Sequence, residues 1–481
     1  MTSNVLPDFI AGEFESGHLA DGIEDRSPSD RDDLIGIVPE GSAGDVDRAV
    51  DAAREALPGW RRMTGPARAE HLYRWADVIA AGADEMAREL AREVGKPIGE
   101  ARGEVARCSV ILRYYAGEAV RTRGSVVPAQ VEGALQFTLQ EPLGVVGLIT
   151  PWNFPAAIPL WKAAPALAFG NTVVLKAAEQ SSHTAVLLAR SAESAGIPAG
   201  VFNVVLGAGG TVGDALVRHP GVNGVSFTGS IPVGRAIRAI CADRNIACQT
   251  EMGGKNVVIV LPDADLDHAA RLTAAGAMRY AGQKCTATSR AVVDRQVESE
   301  FLARLEAEVA DLALGSVFED STAVGPLISD AARERVRKAV AGSGAQLVCG
   351  GRAPEGEMFS RGHFFEPTLA RDVDPGSEIA QEELFGPVLA TLTARDLDHA
   401  IELANGTKYG LSASLFTRDL GSALAYIDAI EVGLVRVNGD TTGVDPHAPF
   451  GGFKASSSGV REQGAAARDF YTETKTVQVN P

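Results

Sequence analysis

The chain reads as an α/β protein: two Rossmann-like parallel-sheet domains plus a small β ribbon suited to oligomerisation. Three observations point there. Between residues 143 and 241 short β-branched runs alternate with helical periodicities, and a second alternating set runs from Asn256 to about Val437. Strand–helix alternation at this spacing makes a mostly parallel sheet with helices on both faces. The third observation is a change to period two at 125–140 and again at 472–479, outside both sets. A chain of 481 residues also exceeds one ordinary hydrophobic core and divides into two or three domains.

Taken in order, residues 8–14 and 34–38 read as short strands, and 43–60 as a helix with Val46, Ala49, Val50, Ala53 and Leu57 on one stripe. Helices follow over 66–94 and 98–120, the first opening on Pro66, where a helix needs no amide donor. Val127, Ala129 and Val131, then Leu135, Phe137 and Leu139, alternate about Glu132-Gly133 as a hairpin. So apolar a ribbon needs a cover, because bare edges aggregate. The alternation at 472–479 predicts that ribbon and tail pair across a subunit interface; the alternative is that both cover their own domain. In the first α/β set, strands are expected at 144–150, 172–176, 201–205 and 225–227, with helices at 159–169, 182–195, 211–219 and 231–241. In the second, strands fall near 256–261, 289–294, 346–349, 365–369, 388–393, 412–416 and 433–438.

The balance of 62 acidic against 45 basic residues, a net charge of -17, argues against a nucleic-acid partner, which needs clustered Lys and Arg. Five cysteines (Cys108, Cys241, Cys248, Cys285, Cys349) with no C-x-x-C spacing indicate neither a metal site nor a disulfide framework, and a reducing cytoplasm suits them. Residues 1–10 lack the basic-then-apolar pattern of an export signal. Residues 145–175 are strongly apolar, with Lys162 their only charge. Pro151, Pro155, Pro159 and Pro165 divide them into pieces too short for a bilayer, so no membrane partner is expected.

Several short motifs carry chemical possibilities, each beside a plainer one. Gly282-Gln283-Lys284-Cys285-Thr286 sets one cysteine between a glycine-led turn and small hydroxyl residues. Cys285 is the candidate nucleophile, although a cysteine among small residues is also commonly just packed. In Pro151-Trp152-Asn153-Phe154-Pro155 two prolines stiffen the chain, so the Asn153 amide points one way, as an oxyanion donor must; it equally suits a turn cap. In Glu251-Met252-Gly253-Gly254-Lys255-Asn256 a carboxylate precedes two glycines, which suits a general base or a loop acid.

Nucleotide-binding sheets hold their ligand beyond the carboxyl ends of the strands. Gly207-Ala208-Gly209-Gly210-Thr211-Val212-Gly213 nearly fits G-x-G-x-x-G, but its last glycine falls one place late, and it is read as a decoy. Thr228-Gly229-Ser230 ends a strand and opens a helix near Pro232, a place where backbone amides suit a pyrophosphate. Lys176 and Glu179, at the end of the strand 172–176, suit ribose hydroxyls, and the carboxylate would repel a 2'-phosphate, favouring NAD over NADP. Both segments also suit a simple turn or a solvated ion pair. Glu382-Glu383-Leu384-Phe385-Gly386-Pro387 and Pro449-Phe450-Gly451-Gly452-Phe453-Lys454 set acids and aromatics beside glycines.

Together these motifs, from about residue 8 to the closing Arg461-Glu462-Gln463-Gly464, resemble the NAD(P)-dependent aldehyde dehydrogenase superfamily. The resemblance implies Cys285 as nucleophile, Glu251 as general base, and Asn153 with the Cys285 amide as oxyanion hole. It implies Trp152, Lys176, Glu179, Gly229, Ser230, Glu383 and Phe385 at NAD (NADP being possible), and Lys162 with Glu462 on a proton path. Phe154, Ile158, Trp161, Lys284, Thr286, Val444 and Phe450 should wall the aldehyde pocket, with Lys284 and Arg436 conceivable partners for a substrate carboxylate, although Arg436 reads rather as a solvated strand residue, since long basic side chains usually end in water. It also divides the chain into a cofactor domain (1–122 and 143–253), a catalytic domain (254–453), and an oligomerisation ribbon with C-terminal tail (123–142 and 454–481). Ala177-Ala178 depart from the family's usual Pro-Ser, loosening that loop, and Met252 stands where leucine is usual.

The extra Val460 and the strings at 282–290 and 443–452 look most like the 2-oxoglutarate semialdehyde (2,5-dioxopentanoate) branch. The expected reaction is oxidation of such an aldehyde to a carboxylate, in a homodimer or homotetramer. Succinate semialdehyde or an aromatic or aliphatic aldehyde are alternative substrates, transfer to CoA an alternative fate, and a catalytically silent structural homologue an alternative of another class. The presence together of Cys285, Glu251 and Asn153 argues against the last.

Overall fold

A computed structural model describes residues 4–18, 22–121 and 124–481, so the boundary expected at 122–123 lies outside the described residues. The first α/β set forms an eight-stranded sheet in the order Glu13–Glu15, Asp8–Ile10, Phe202–Val204, Thr172–Lys176, Val145–Ile149, Gly224–Thr228, Ala247–Glu251, Ser457–Ser458. From Phe202–Val204 to Ala247–Glu251 neighbours run parallel, while the strands added at either edge are antiparallel. The chain starts at Val145–Ile149, steps outward through Thr172–Lys176 and Phe202–Val204, then returns to lay Gly224–Thr228 on the other side. That reversal opens a crevice above the carboxyl ends of Val145–Ile149 and Gly224–Thr228.

The apolar runs of this sheet require helices on both faces, and Thr172–Lys176 and Gly224–Thr228 are buried throughout. Helix Ala157–Ala168 is buried along its whole length, which explains the hydropathy of 145–175. Among the described residues no helix is long and apolar enough to cross a membrane. Helices Gly65–Ala81 and Ile98–Glu118 pack against it, contributing Leu72, Trp75, Ile111 and Leu112 to the core. Each such buried aliphatic side chain stabilises by about 1.5–3 kcal/mol. The helix expected over 66–94 is two, Gly65–Ala81 and Ala83–Val94, because Gly82 closes the first by donating its N–H to Val78.

The second sheet has seven strands, ordered Gln346–Cys349, Thr368–Arg371, Val388–Ala394, Thr288–Asp294, Asn256–Val260, Ser412–Phe416, Leu434–Val437. Each expected strand is present. The one placed at 365–369 begins later, past Pro367, which has no N–H for a ladder. Strand Ala247–Glu251 was not expected, since Ala-Cys-Gln-Thr-Glu lacks a β-branched run; pairing to Gly224–Thr228 along its whole length supplies what propensity does not.

Ribbon and tail pair in a different way from that expected. Thr472–Val479 lies antiparallel to Leu135–Pro142 of the same chain, from Thr472↔Pro142 to Val479↔Leu135, so their union is intramolecular. An eight-residue ladder pairs one side of each strand along its whole length. The resulting three-stranded sheet leaves Val126, Leu135, Leu139 and Val479 exposed.

Candidate active site

Cys285 stands on a loop that opens with three successive left-handed residues, Tyr280 (φ 57°), Ala281 (φ 51°) and Gly282 (φ 67°). Two of them carry side chains, a conformation that costs about 1–3 kcal/mol each and persists only where the surroundings over-determine it. They do so here. Tyr280 N–H donates to Ala323 O at 3.0 Å and Gln283 N–H to Tyr280 O at 3.1 Å. The buried Gln283 side chain donates to Pro326 O (3.1 Å) and accepts from Ile328 N–H (2.9 Å). A Cβ on Gly282 would lie 2.4 Å from Gly386 O, so the turn that carries the cysteine requires glycine there.

Asn153 reaches the same loop, its Nδ2 donating to Gln283 O at 3.0 Å. Its own carbonyl accepts from Lys96 Nζ at 2.7 Å. Lys96 is fully buried, ion-paired with Glu104, and lies 3.9 Å over the Phe154 ring. The other Glu104 oxygen accepts from Ala156 N–H (2.9 Å) and Ala157 N–H (3.0 Å), capping the start of helix Ala157–Ala168. One buried ion pair thus fixes both the loop that bears Asn153 and the helix after it. Sequence reasoning passed over Lys96 and Glu104, which do not stand out in a stretch that also carries Arg92, Glu93, Glu100, Arg102 and Arg107.

Glu251 ends its strand beside Thr228 and is buried. Burial, then Glu462, push its carboxyl well above the usual range, against the opposing pull of Ser457, Lys162 and Arg461. Oε2 accepts from the Ser457 hydroxyl, whereas Oε1 is buried with no hydrogen-bond partner among the described residues. Lys162 and Glu462 form a buried ion pair, with Lys162 Nζ also donating to Ser226 Oγ at 2.8 Å and Ser226 in turn to Gln249 Oε1 at 3.0 Å. The Cys285 thiol is pushed up to about 12 by burial and then by Glu383, Glu251 and Glu462. At rest it is therefore a thiol, and it needs a base to become a nucleophile.

The crevice at the sheet reversal gathers Trp152, Lys176, Glu179, Gly229 and Ser230. Lys176 Nζ and Gly209 N–H meet the same Glu179 oxygen at 3.1 and 2.6 Å. The glycine run read as a decoy thus lies against the Lys176–Glu179 pair. Gly229 follows strand Gly224–Thr228, and Ser230 stands at the start of helix Ile231–Asp243 without a side-chain cap hydrogen bond. The buried Thr228 hydroxyl beside them has no partner among the described residues. A free hydroxyl and helix-start amides fit a dinucleotide's pyrophosphate, and the Lys176–Glu179 pair fits a ribose. Trp152 and Phe385 meet edge to face, ring centres 5.5 Å apart. Glu383 accepts from Gly254 N–H at 3.1 Å, and burial pushes its carboxyl up to about 7. A Cβ on Gly253 would lie 1.9 Å from the Glu383 carboxylate, so a side chain there would displace that carboxylate.

On the other side of Cys285 a cavity of about 640 Å³ is lined by Phe154, Trp161, Lys284, Thr286, Val444 and Phe450. Ile158 is not on its wall. Helix Ala157–Ala168 turns Ala157 and Trp161 to the cavity, and Ile158, one position on, is fully buried in the core. Both basic residues weighed for a substrate carboxylate already have partners. Lys284 is already ion-paired with Glu100 at 2.8 Å, and Arg436 donates to Gly443 O. The side chains of Arg107 and Arg279 also line the cavity, drawn by the charges of Asp445 and Glu100 respectively but with no side-chain hydrogen bond or ion pair among the described residues. Sequence reasoning missed both: Arg107 lies inside helix Ile98–Glu118, away from the motifs, and Arg279 stands just before the turn that carries Cys285, where only the fold shows that it faces the cavity.

The profile described as "Aldehyde dehydrogenase family" matches residues 14–477. The chain is 45% identical to the alpha-ketoglutaric semialdehyde dehydrogenase of Bacillus subtilis (strain 168), covering 99% of each chain. To the alpha-ketoglutarate semialdehyde dehydrogenase of Haloferax volcanii it is 42% identical over 98% of each. A crystal structure of an NAD-dependent aldehyde dehydrogenase from Sinorhizobium meliloti superposes with a TM-score of 0.95 at 39% identity, over 99% of this chain and 95% of that one.

Proposed function

The chain belongs to the aldehyde dehydrogenase family, and from that premise we propose that it oxidises 2-oxoglutarate semialdehyde to the dicarboxylate with NAD. The observation that carries the substrate is the pair of guanidiniums, Arg107 and Arg279, that line the cavity ending on Cys285 with no side-chain hydrogen bond among the described residues. An aldehyde with a carboxylate at its far end suits that cavity, since a planar guanidinium binds a carboxylate bidentately. The two relatives named for this semialdehyde support the same reading.

In this reading Glu251 takes the proton of the Cys285 thiol, and the sulfur adds to the aldehyde carbon. Negative charge develops on the carbonyl oxygen, where Asn153 Nδ2 and the Cys285 N–H are the donors. NAD, when bound, supplies the acceptor for the hydride that leaves as the thiohemiacetal collapses to a thioester. Glu251 next takes a proton from water. The water oxygen adds to the thioester carbonyl, the carbon–sulfur bond breaks, and Cys285 leaves as thiolate. Glu462 and the Lys162 paired with it would take the proton on from Glu251. Trp152, Lys176, Glu179, Gly229, Ser230, Glu383 and Phe385 hold the cofactor.

The same reading assigns 1–122 with 143–253 to the cofactor, 254–453 to the nucleophile, and 123–142 with 454–481 to self-association as a dimer or tetramer. The exposed valines and leucines of the three-stranded sheet support that last role. A cytoplasmic setting is proposed on the five free thiols. The substrate is tested by initial rates of NADH formation on 2-oxoglutarate semialdehyde, succinate semialdehyde, propanal and benzaldehyde. The two semialdehydes should lead in kcat/KM. Arg107→Leu and Arg279→Leu should each lower it about tenfold to a hundredfold for them and leave propanal unchanged. Equal losses for propanal would overturn the carboxylate reading.

A further inference from the structure

We propose that the Ser457 hydroxyl positions the Glu251 carboxylate for proton transfer, binding Oε2 and leaving Oε1 as the oxygen that accepts the proton. This deepens the proposed function and rests on Glu251 being its base. Ser457 lies between the Pro449–Lys454 loop and the closing Arg461-Glu462-Gln463-Gly464.

The direction of the hydrogen bond is set by a third group. Gly452 N–H donates into Ser457 Oγ at 2.6 Å, so the hydroxyl's own hydrogen is left for Glu251 Oε2. The carboxylate is therefore held by a donor whose orientation the backbone dictates. Its other oxygen is buried, without a partner among the described residues, and a Cβ on Gly451 would stand 3.0 Å from it. Space is thus kept clear around Oε1 alone.

The backbone fixes Ser457 in turn. The two-residue strand Ser457–Ser458 joins the sheet edge with Glu251 opposite Ser457 and Thr250 opposite Ser458. Met252 N–H donates to Ser456 O at 2.8 Å, and Arg461 donates to Gly452 O. Ser458 meets Thr250 hydroxyl to hydroxyl at 2.8 Å and does not reach Glu251. The same short strand therefore supplies both the positioning serine and its control.

The consequence is a defined change in one half-reaction. In thioester hydrolysis the water proton goes to Oε1, the water oxygen bonds to the thioester carbon, and the sulfur departs with the electrons of the broken bond. The charged and titratable groups facing Glu251 are Glu462, Lys162, Arg461 and the Cys285 thiol. Of its hydrogen bonds only that from Ser457 favours the ionised carboxylate. Without that hydroxyl the carboxyl keeps its proton to higher pH.

The test is the pH dependence of kcat and KM on 2-oxoglutarate semialdehyde, with propanal as second aldehyde. The acid limb of kcat for Ser457→Ala should move up by about one pH unit with KM unchanged. Ser457→Cys, a weaker donor, should move it less in the same direction, and Ser457→Thr should restore it. Ser458→Ala should leave the limb in place. An unmoved limb in Ser457→Ala, or an equal movement in Ser458→Ala, would overturn the proposal while a dead Glu251→Gln upheld the base. A Glu251→Gln enzyme with wild-type turnover would overturn the base assignment itself.

Discussion

The ammonium of Lys96 donates to the main-chain carbonyl of Asn153 at 2.7 Å, and neither residue is exposed to solvent by more than 3%. The side chain that would bind an oxyanion is thus located from behind, by a charge that itself needs Glu104. A buried charge left without its partner costs about 3–5 kcal/mol. Lys96→Met should therefore lower the urea unfolding free energy by about that much. Lys96→Met combined with Glu104→Gln should recover part of it, because a glutamine oxygen still accepts from Ala156 and Ala157. Both variants should lose kcat more than they raise KM, as a displaced Asn153 affects the transition state and not the docking of the aldehyde.

Glu179 is tied to Lys176 and to Gly209 N–H, so its carboxylate is held in the crevice and cannot swing away. A 2'-phosphate would meet that charge. Glu179→Gln should raise kcat/KM for NADP relative to NAD by about tenfold or more, read from parallel initial rates with the two cofactors. No change in that ratio would show that another group sets the preference.

Lys255 is 4% exposed, and burial, followed by Arg290, pulls its ammonium down to about 7, with Glu383 and Glu382 acting the other way. Between pH 7 and 10.5 the unfolded chain then holds a proton that the folded chain lacks, so folding grows more favourable as pH rises through that window. The penalty is fully present below pH 7. Lys255→Met should accordingly raise the Tm of the cofactor-free protein most at pH 6–7, an advantage that shrinks towards pH 10. A pH-independent difference would contradict the assignment.

Much of this site was legible in the sequence because its residues lie at strand ends, where apolar runs stop at glycine, proline or a charge. Asn153 and Glu251 are of that kind, and so is the Lys176–Glu179 pair, while Cys285 is marked by the glycine-led turn before strand Thr288–Asp294. What local pattern cannot carry is a partner distant in the chain. Lys96 with Glu104, and Arg107, sit on the helical face of Ile98–Glu118 or just before it, and only the fold brings them to the cavity or to Asn153. Ile158 fails for a rotational reason: one residue along a helix turns a side chain by about 100°. Strand Ala247–Glu251 was hidden because its stability comes from a neighbour and not from its own composition. The tail found its partner in its own chain because alternation indicates that a strand must pair and says nothing of where.

The central claim is a thioester on Cys285 that waits for Glu251. It is tested most directly by mixing Glu251→Gln enzyme with 2-oxoglutarate semialdehyde and NAD, following NADH in the first turnover, and mapping the acid-quenched protein by peptide mass spectrometry. The account predicts one NADH per active site, little steady-state turnover, and an acyl adduct on the peptide that carries Cys285, absent from Cys285→Ala. Sustained turnover without an adduct, or an adduct on any other residue, would contradict it.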